Sequence, residues 1–162
     1  MEQERLKFSI ERFDHYYDSI NNKCSVFLTL STFILGGLVA GYPWLLEKVD
    51  CGICIHLIMA VLLSLGLAIM IIVTFTSIPF LSEPSGSFLF FADVAERPFQ
   101  TFADQSEVET DEAAKNDLRG QAHVLATGLT AKFKRLKLVG ILMLIQFILF
   151  IPLILTIIFN LK

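Results

Sequence analysis

The sequence predicts an all-α membrane protein with three transmembrane helices and a helical cytoplasmic stalk, with the N-terminus inside and the C-terminus outside. Residues 24–46, 51–82 and 138–161 form runs of 23, 32 and 24 residues that contain no Asp, Glu, Lys or Arg. A helix that spans a bilayer needs about 20 mostly apolar residues, because ~30 Å of hydrocarbon is crossed at ~1.5 Å per residue. The composition agrees, since 54% of the residues are hydrophobic, whereas soluble domains average ~45–50%.

The distribution of Lys and Arg predicts the orientation. The first 23 residues and the segment 83–137 together carry eleven of these residues, whereas the segment 47–50 and Lys162 carry two. Cytoplasmic segments of membrane proteins are enriched in Lys and Arg. Three spans place the first and third polar segments on the same side, so these two segments are predicted to be cytoplasmic. The short loop and the C-terminus are then predicted to lie outside.

These runs and segments divide the chain into six predicted regions. The regions are a cytoplasmic amphipathic helix (1–23), transmembrane helix 1 (24–46), a short outer loop (47–52), transmembrane helix 2 (53–81), a cytoplasmic helical segment (82–137) and transmembrane helix 3 (138–161).

Two rows of mostly apolar residues predict long helices that extend from the membrane into the cytosol. Members of each row are three or four residues apart, which is typical of a helix that packs against another helix. The first row is Leu6, Ile10, Phe13, Tyr17, Ile20 and Cys24. The second row is Leu118, Ala122, Leu125, Leu129, Phe133, Leu136 and Gly140. We therefore expect one helix to run through the first span and another to run from about Glu109 through the third. Their extensions should pack together as a cytoplasmic stalk.

An aromatic stripe follows the second span. Its members at near-helical spacing are Phe88, Phe91, Ala95, Phe99 and Phe102. Pro98 interrupts the stripe and is expected to start a new helix. A turn is expected at Pro84, Ser85 and Gly86. The favoured interpretation is that the stripe caps the apolar row of the stalk, and the alternative is that it rests among lipid headgroups.

Small and polar residues within the spans are informative, because apolar surface alone does not drive helices together in a membrane. A stripe on the first helix consists of Asp18, Asn22, Ser25, Thr29, Thr32, Gly36 and Ala40, and Gly37 and Gly41 form a GxxxG pair. On the second span, Ala60, Ser64 and Ala68 form a similar face. A tight helix contact within the monomer is the favoured interpretation, and a subunit interface or pore lining is the alternative.

Gln146 lies inside the third span, where a buried amide needs a hydrogen-bond partner or water. An interhelical hydrogen bond is the favoured role, and a ring of glutamines around an oligomer axis is the alternative. Pro152 is expected to bend the third span.

The cysteines predict no metal site. Cys51 and Cys54 with His56 supply three ligands, whereas zinc normally takes four. Two cysteines at the membrane interface are favoured over a Cys51–Cys54 disulfide, which an oxidising compartment would permit. Cys24 is expected to be a small core residue.

The chain carries no nucleophile, phosphate-loop, metalloprotease or dinucleotide motif, and it is therefore not expected to be an enzyme.

Candidate residues for an anionic ligand lie on the predicted stalk helices at compatible heights, roughly 16 and 21 Å from the membrane edge. They are Arg12, His15, Tyr16, Arg119 and His123. Guanidinium, imidazole and aromatic groups together would suit a nucleotide, although ordinary surface salt bridges explain them more simply. A basic group abuts the third span, and it consists of Lys132, Lys134, Arg135 and Lys137. It is expected to set topology and contact anionic lipid headgroups, and a phosphate site is the rarer alternative.

Three segments resemble a known family. They are residues 22–30 (NKCSVFLTL), residues 90–95 (FFADVA) and residues 130–136 (TAKFKRL), and in this order they resemble the transmembrane effectors of bacterial Pycsar antiphage systems. Asn21, Cys24 and Ala92 depart from the residues common in the family. The resemblance covers nearly the whole chain.

The resemblance implies a multi-pass protein of the bacterial inner membrane that acts in antiphage defence. A companion nucleotide cyclase would make cyclic UMP or cyclic CMP during infection, and this ligand would activate a homo-oligomer that impairs the membrane. Membrane lipid is then a partner, whereas nucleic acid and a resident cofactor are not expected. The alternative is a non-conducting membrane scaffold or regulatory subunit whose stalk binds a protein partner.

Overall fold

The computed structural model describes residues 1–49, 52–79 and 86–160, and this part of the chain contains five α-helices. They are α1 (Glu2–Lys48), α2 (Ile53–Ser77), α3 (Phe91–Glu96), α4 (Phe99–Glu107) and α5 (Asp111–Phe159). The helices α1, α2 and α5 are long and apolar enough to cross a membrane. The predicted fold class, all-α with three such helices, is confirmed at this level.

Helices α1 and α5 are single uninterrupted elements of 47 and 49 residues, as the two apolar rows predicted. The N-terminus of α5 is capped by Thr110, whose Oγ1 accepts a hydrogen bond from the backbone N–H of Ala113 at 3.2 Å. Such a cap satisfies one of the free donors in the first turn. Acidic Asp111 and Glu112 in that turn complement the helix dipole.

The short helices α3 and α4 are separated at Pro98, where the sequence predicted the start of a new helix. Pro98 is the N-cap of α4, and its carbonyl accepts the backbone N–H of Phe102 at 3.0 Å. Proline suits the start of a helix because its missing N–H would have no partner there. The predicted turn involves Pro84 and Ser85, which lie outside the described residues; Gly86 has φ of +77°.

The chain divides into two compact units. The polar unit comprises Met1–Ser19 and Pro79–Ala131, and the apolar unit comprises Ile20–Ile78 and Lys132–Lys162. Within the polar unit, the Tyr17 hydroxyl donates to the backbone carbonyl of Leu125 at 3.0 Å, and burial raises the pKa of Tyr17.

The apolar unit has a core in which residues from all three long helices pack together. From Cys24 onward, the buried residues of α1 recur every seven residues, at Ser31, Leu38 and Leu45. This heptad row is the narrow contact face of packed helices. The core cluster consists of Leu38, Leu45, Val49, Ile55, Met59, Leu62 and Leu153.

Large apolar side chains also point outward from the apolar unit. Phe33 is 79% exposed, and Leu67 and Ile148 are more than half exposed. Water would disfavour such a surface, whereas lipid tails accommodate it. Such a surface suits helices that cross a membrane.

Candidate functional site

The ligand candidates on α1 form an exposed cluster. Arg12 donates to the hydroxyl of Tyr16 at 2.7 Å, and its guanidinium carbon lies 5.8 Å and 5.7 Å from the ring centroids of Phe8 and Tyr16. Arg12 is about 140° around the helix from Tyr17, at ~100° per residue. Because Tyr17 faces α5, this cluster and the neighbouring exposed His15 lie on a different face of α1.

Arg119, the main candidate on α5, already has partners within the polar unit. Its Nε and Nη2 donate to the two carboxylate oxygens of Glu2, both at 3.0 Å. Its Nη1 donates to Asn116 at 2.6 Å and to Glu112 at 3.3 Å. The hydrogen bonds with Glu2 raise the pKa of Arg119. An anionic ligand at this guanidinium would have to displace Glu2.

The structure therefore does not show the predicted candidates around one pocket. Arg12 and Tyr16 pair with each other, Arg119 pairs with Glu2, and His123 is exposed on α5. Ligand binding by these residues stays a prediction.

Ser87 is the centre of a hydrogen-bond network that was not predicted from the sequence. Its backbone N–H donates to Oδ2 of the buried Asp93 at 2.8 Å. Its hydroxyl oxygen accepts from the backbone N–H groups of Leu89 and Phe90, at 3.0 and 3.1 Å, and from Nε2 of Gln121 at 3.0 Å. Serine commonly satisfies nearby N–H groups before a helix, so the serine shortly before α3 was the available signal.

The segment after Gly86 is also tied to α5 through Phe88. The Phe88 backbone N–H donates to Oδ2 of Asp117 at 2.8 Å. The ring of Phe88 lies 5.9 Å from that of Phe102, centroid to centroid, and the Arg97 guanidinium carbon lies 4.5 Å from the Phe88 centroid. Guanidinium groups stack favourably on aromatic faces. The segment thus presents an arginine on an aromatic platform.

The aromatic stripe is divided between two environments. Phe88 and Phe102 contact each other inside the polar unit, whereas Phe91 and Phe99 are 69% and 80% exposed. Only part of the stripe therefore serves packing within this unit.

Two depressions of about 370 and 560 Å³, both open to solvent and called the smaller and the larger cavity below, adjoin this platform. Both are lined by Gly86, Phe88, Glu109 and Ala113. The smaller one continues along α5 past Asn116, Asp117 and Gln121. The larger one extends to Arg97, Gln105 and Thr110. Their volumes fall within the ~300–1,000 Å³ range of small-molecule sites.

The small-residue stripe on α1 is exposed in the single chain. Ser25, Thr29 and Thr32 each donate to the backbone carbonyl four residues earlier, at 2.9 to 3.1 Å. A Cβ added at Gly36, Gly37 or Gly41 would meet nothing within 4 Å. The favoured interpretation of a contact within the monomer is not supported for this stripe, because the buried row of α1 lies on another face. On α2, Ala60 and Ser64 are exposed and Ala68 is half-buried.

Gln146 is fully buried and makes an interhelical hydrogen bond. Its Nε2 donates to the backbone carbonyl of Leu62 at 3.3 Å, and its Oε1 has no hydrogen-bond partner. The helices approach closely here, since a Cβ at Gly66 would lie 2.9 Å from both Gln146 Nε2 and Leu35 Cδ2. Gln146 thus lies at a close contact between α2 and α5.

Lys132 departs from its expected role at the lipid surface. It is 5% exposed, and its Nζ donates to the carbonyls of Thr76 and Ile78 at 2.6 and 3.0 Å. These carbonyls lie at the C-terminal end of α2, where cations are favoured. The neighbours Lys134, Arg135 and Lys137 are exposed.

Cys24 is buried, as expected, and Cys54 is exposed. Cys51 lies outside the described residues, and so does the less favoured alternative of a Cys51–Cys54 disulfide. His56 pairs with Tyr42 through its Nδ1, 2.7 Å from the tyrosine hydroxyl oxygen.

Comparisons with known proteins identify a family. The family model of the Pycsar effector protein domain, PycTM, matches residues 5–159. No curated protein and no solved structure matches the chain. Because the family model covers nearly the whole chain, including all three helices able to cross a membrane, this chain belongs to the PycTM family of Pycsar effector proteins.

Proposed function

We propose that this protein is an antiphage effector of the bacterial inner membrane that impairs membrane integrity when a cyclic pyrimidine mononucleotide, cyclic UMP or cyclic CMP, is made during infection. The family match over residues 5–159 carries the proposal, because it implies an antiphage membrane effector. A companion nucleotide cyclase supplies the ligand and need not contact the effector.

The continuity of α1 and α5 supports a role in signal transfer. Each helix contributes residues to both the polar and the apolar unit. A ligand that binds one conformation of the polar unit better than another raises the population of that conformation. Because each of these helices continues into the apolar unit, the change in conformation extends to both of its ends. Ligand occupancy in the cytosol therefore biases the arrangement of the membrane-crossing helices.

The exposed stripe on α1 supports assembly into a homo-oligomer. Three helices of one chain cannot enclose an aqueous channel, so a pore requires several subunits. Small residues allow helices to approach closely in lipid, and Thr29 and Gly36 present such a surface. A shallow groove of about 510 Å³ runs along this face between Ser25 and Phe33.

Dye release from liposomes tests the function. The purified full-length protein is reconstituted, and leakage is titrated with cyclic UMP, cyclic CMP, cyclic AMP and cyclic GMP, with protein-free liposomes as the control. Leakage that depends on a pyrimidine nucleotide is the expected result. Absence of leakage with all four, from protein shown to be inserted, would contradict the proposal and favour a scaffold or regulatory subunit.

A further inference from the structure

The larger of the two cavities is lined by an arginine, Arg97, whose guanidinium has unused hydrogen-bonding capacity. Arg97 has no carboxylate within ion-pair distance in the described part of the chain, and its buried Nη1 has no hydrogen-bond partner. Arg119, by contrast, is paired with Glu2 and Glu112. A buried donor without an acceptor is costly. A ligand that supplies an acceptor for Arg97 Nη1 would remove this cost.

The guanidinium of Arg97 lies against an aromatic ring at the wall of the larger cavity. The Phe88 ring supports the guanidinium plane at 4.5 Å, and the backbone N–H of Arg97 is tied to the carbonyl of Val94 at 3.3 Å. Arg97 also lines the larger cavity, and a planar guanidinium carries paired N–H groups that match phosphate oxygens. Gly86 lies beside it, and an added Cβ there would be 3.6 Å from Arg97 Nη2.

Other groups on the cavity wall complement the rest of a nucleotide. Glu109 supplies a carboxylate acceptor, and Gln105 and Thr110 supply an amide and a hydroxyl. A carboxylate would repel a phosphate but accepts hydrogen bonds from the N–H groups on the edge of a base. The opposite charges of Arg97 and Glu109 thus favour a ligand with an anionic end and an N–H donor end.

We propose that the cavity lined by Phe88, Arg97, Gln105 and Glu109 is the site that binds the activating ligand, with Arg97 holding the cyclic phosphate and Glu109 accepting an N–H of the base. This inference rests on the proposed function, from which the nucleotide class is taken. It places the ligand away from Arg12 and Arg119, the arginines predicted from the sequence.

Binding measurements on the full-length protein in nanodiscs test the assignment. The affinities for cyclic UMP and cyclic CMP are measured for the wild type, Arg97→Gln and the matched control Lys115→Gln, which removes a positive charge in the same unit. Loss of a charged hydrogen bond predicts a Kd at least about tenfold higher for Arg97→Gln. Lys115→Gln should remain within about twofold, because Lys115 makes only a 3.9 Å ion pair with Glu112.

Two further variants protect the test against misfolding. Gln105→Trp places a bulky ring on the exposed wall of the cavity without altering the Arg97–Phe88 stack, and it should also weaken binding at least about tenfold. Arg12→Gln tests the rival location on α1 and should leave the Kd within about twofold. Thermal unfolding of each variant identifies a folding defect, and Gln105→Trp decides the matter if Arg97→Gln does not fold.

The outcomes separate the site from the function. Tight binding to the wild type with unchanged affinity in Arg97→Gln and Gln105→Trp would overturn the site and leave the function intact. Weaker binding in Arg12→Gln alone would move the site to α1. A wild type that binds neither pyrimidine nucleotide would overturn both the trigger in the proposed function and this site.

Discussion

Gly66 shows how a single missing side chain sets the distance between helices. Its position permits Leu35 and Gln146 to approach where a Cβ would lie 2.9 Å from each. A methyl group there would force both side chains to move, and overpacking of this kind typically costs ~1–3 kcal/mol. Both neighbours are flexible side chains, so the lower half of that range applies.

We expect Gly66→Ala to lower the free energy of unfolding by about 1–2 kcal/mol. Gly140→Ala is the matched control, because an added Cβ at Gly140 meets nothing within 4 Å. Thermal unfolding in detergent should show a lower midpoint for Gly66→Ala than for Gly140→Ala, because both changes gain the helix preference of Ala over Gly but only the first adds a close contact. Equal midpoints would mean that the close contact at Gly66 does not form.

We expect that replacing the buried amide of Gln146 by an apolar side chain costs little stability. Its hydrogen bond to Leu62 is long at 3.3 Å, and Oε1 is unpartnered. The Leu62 carbonyl lies inside α2 and keeps its helix hydrogen bond, so replacing the amide by an apolar group of similar shape leaves no buried acceptor unpaired and is nearly neutral or stabilising. Gln146→Leu should therefore unfold at or above the wild-type midpoint, whereas Gln146→Ala should lose about 2 kcal/mol or more to a cavity. A marked loss in Gln146→Leu would instead indicate that the amide has a partner in the assembled protein.

At the scale of elements, Lys132 joins α5 to the end of α2. Its Nζ bridges the carbonyls of Thr76 and Ile78, which are free at the helix end. Lys132→Met keeps the apolar stem but removes both hydrogen bonds, and we expect it to destabilise the protein by about 1–3 kcal/mol. Lys134→Met removes an exposed charge and should stay within ~0.5 kcal/mol.

Thermal unfolding of both variants tests this prediction, and hydrogen exchange locates the effect. Faster exchange is expected at the C-terminal turn of α2 in Lys132→Met. If the two variants unfold at the same temperature, the bridge to α2 contributes nothing to stability.

At the scale of the whole molecule, the proposed homo-oligomer predicts that subunits meet at the exposed stripe on α1. Thr29→Phe places a large ring where close approach is needed, so we expect loss of the oligomer and of nucleotide-dependent leakage. Leu67→Phe is the control, because Leu67 is 56% exposed on α2 and already large. The mass of the assembly in nanodiscs reports the oligomeric state, and dye release from liposomes reports the leakage. Retention of both by Thr29→Phe would place the interface elsewhere.

The predicted orientation can be tested with the chain's own cysteines. A Cys51→Ser variant retains the buried Cys24 and the exposed Cys54. A membrane-impermeant maleimide should label Cys54 in spheroplasts, because the end of α2 that carries it is predicted to lie outside. An added Asn116→Cys in the polar unit should react only after permeabilisation. Labelling of that cysteine in intact spheroplasts would reverse the orientation.

The sequence by itself determined the number and type of long helices. Charge-free runs longer than a bilayer is thick leave few structures other than membrane helices, because backbone groups must be paired internally in lipid. The rows beginning at Leu6 and Leu118 likewise predicted that α1 and α5 continue beyond these runs. Pro98 marked the start of α4, since proline restricts its neighbours locally. All of these signals act through the backbone or over a few turns.

Only the tertiary structure decided which side chains meet. The sequence of α1 did not settle which face of the helix packs within the chain. In the structure, the face with Ser31 and Leu38 is buried in the apolar unit, and Thr29 is exposed. Lys132 turned inward because the end of α2 supplies free carbonyls, and Arg97 came to lie over Phe88. These outcomes depend on neighbours distant along the chain, and no local pattern encodes such contacts because each depends on how separate helices dock and rotate.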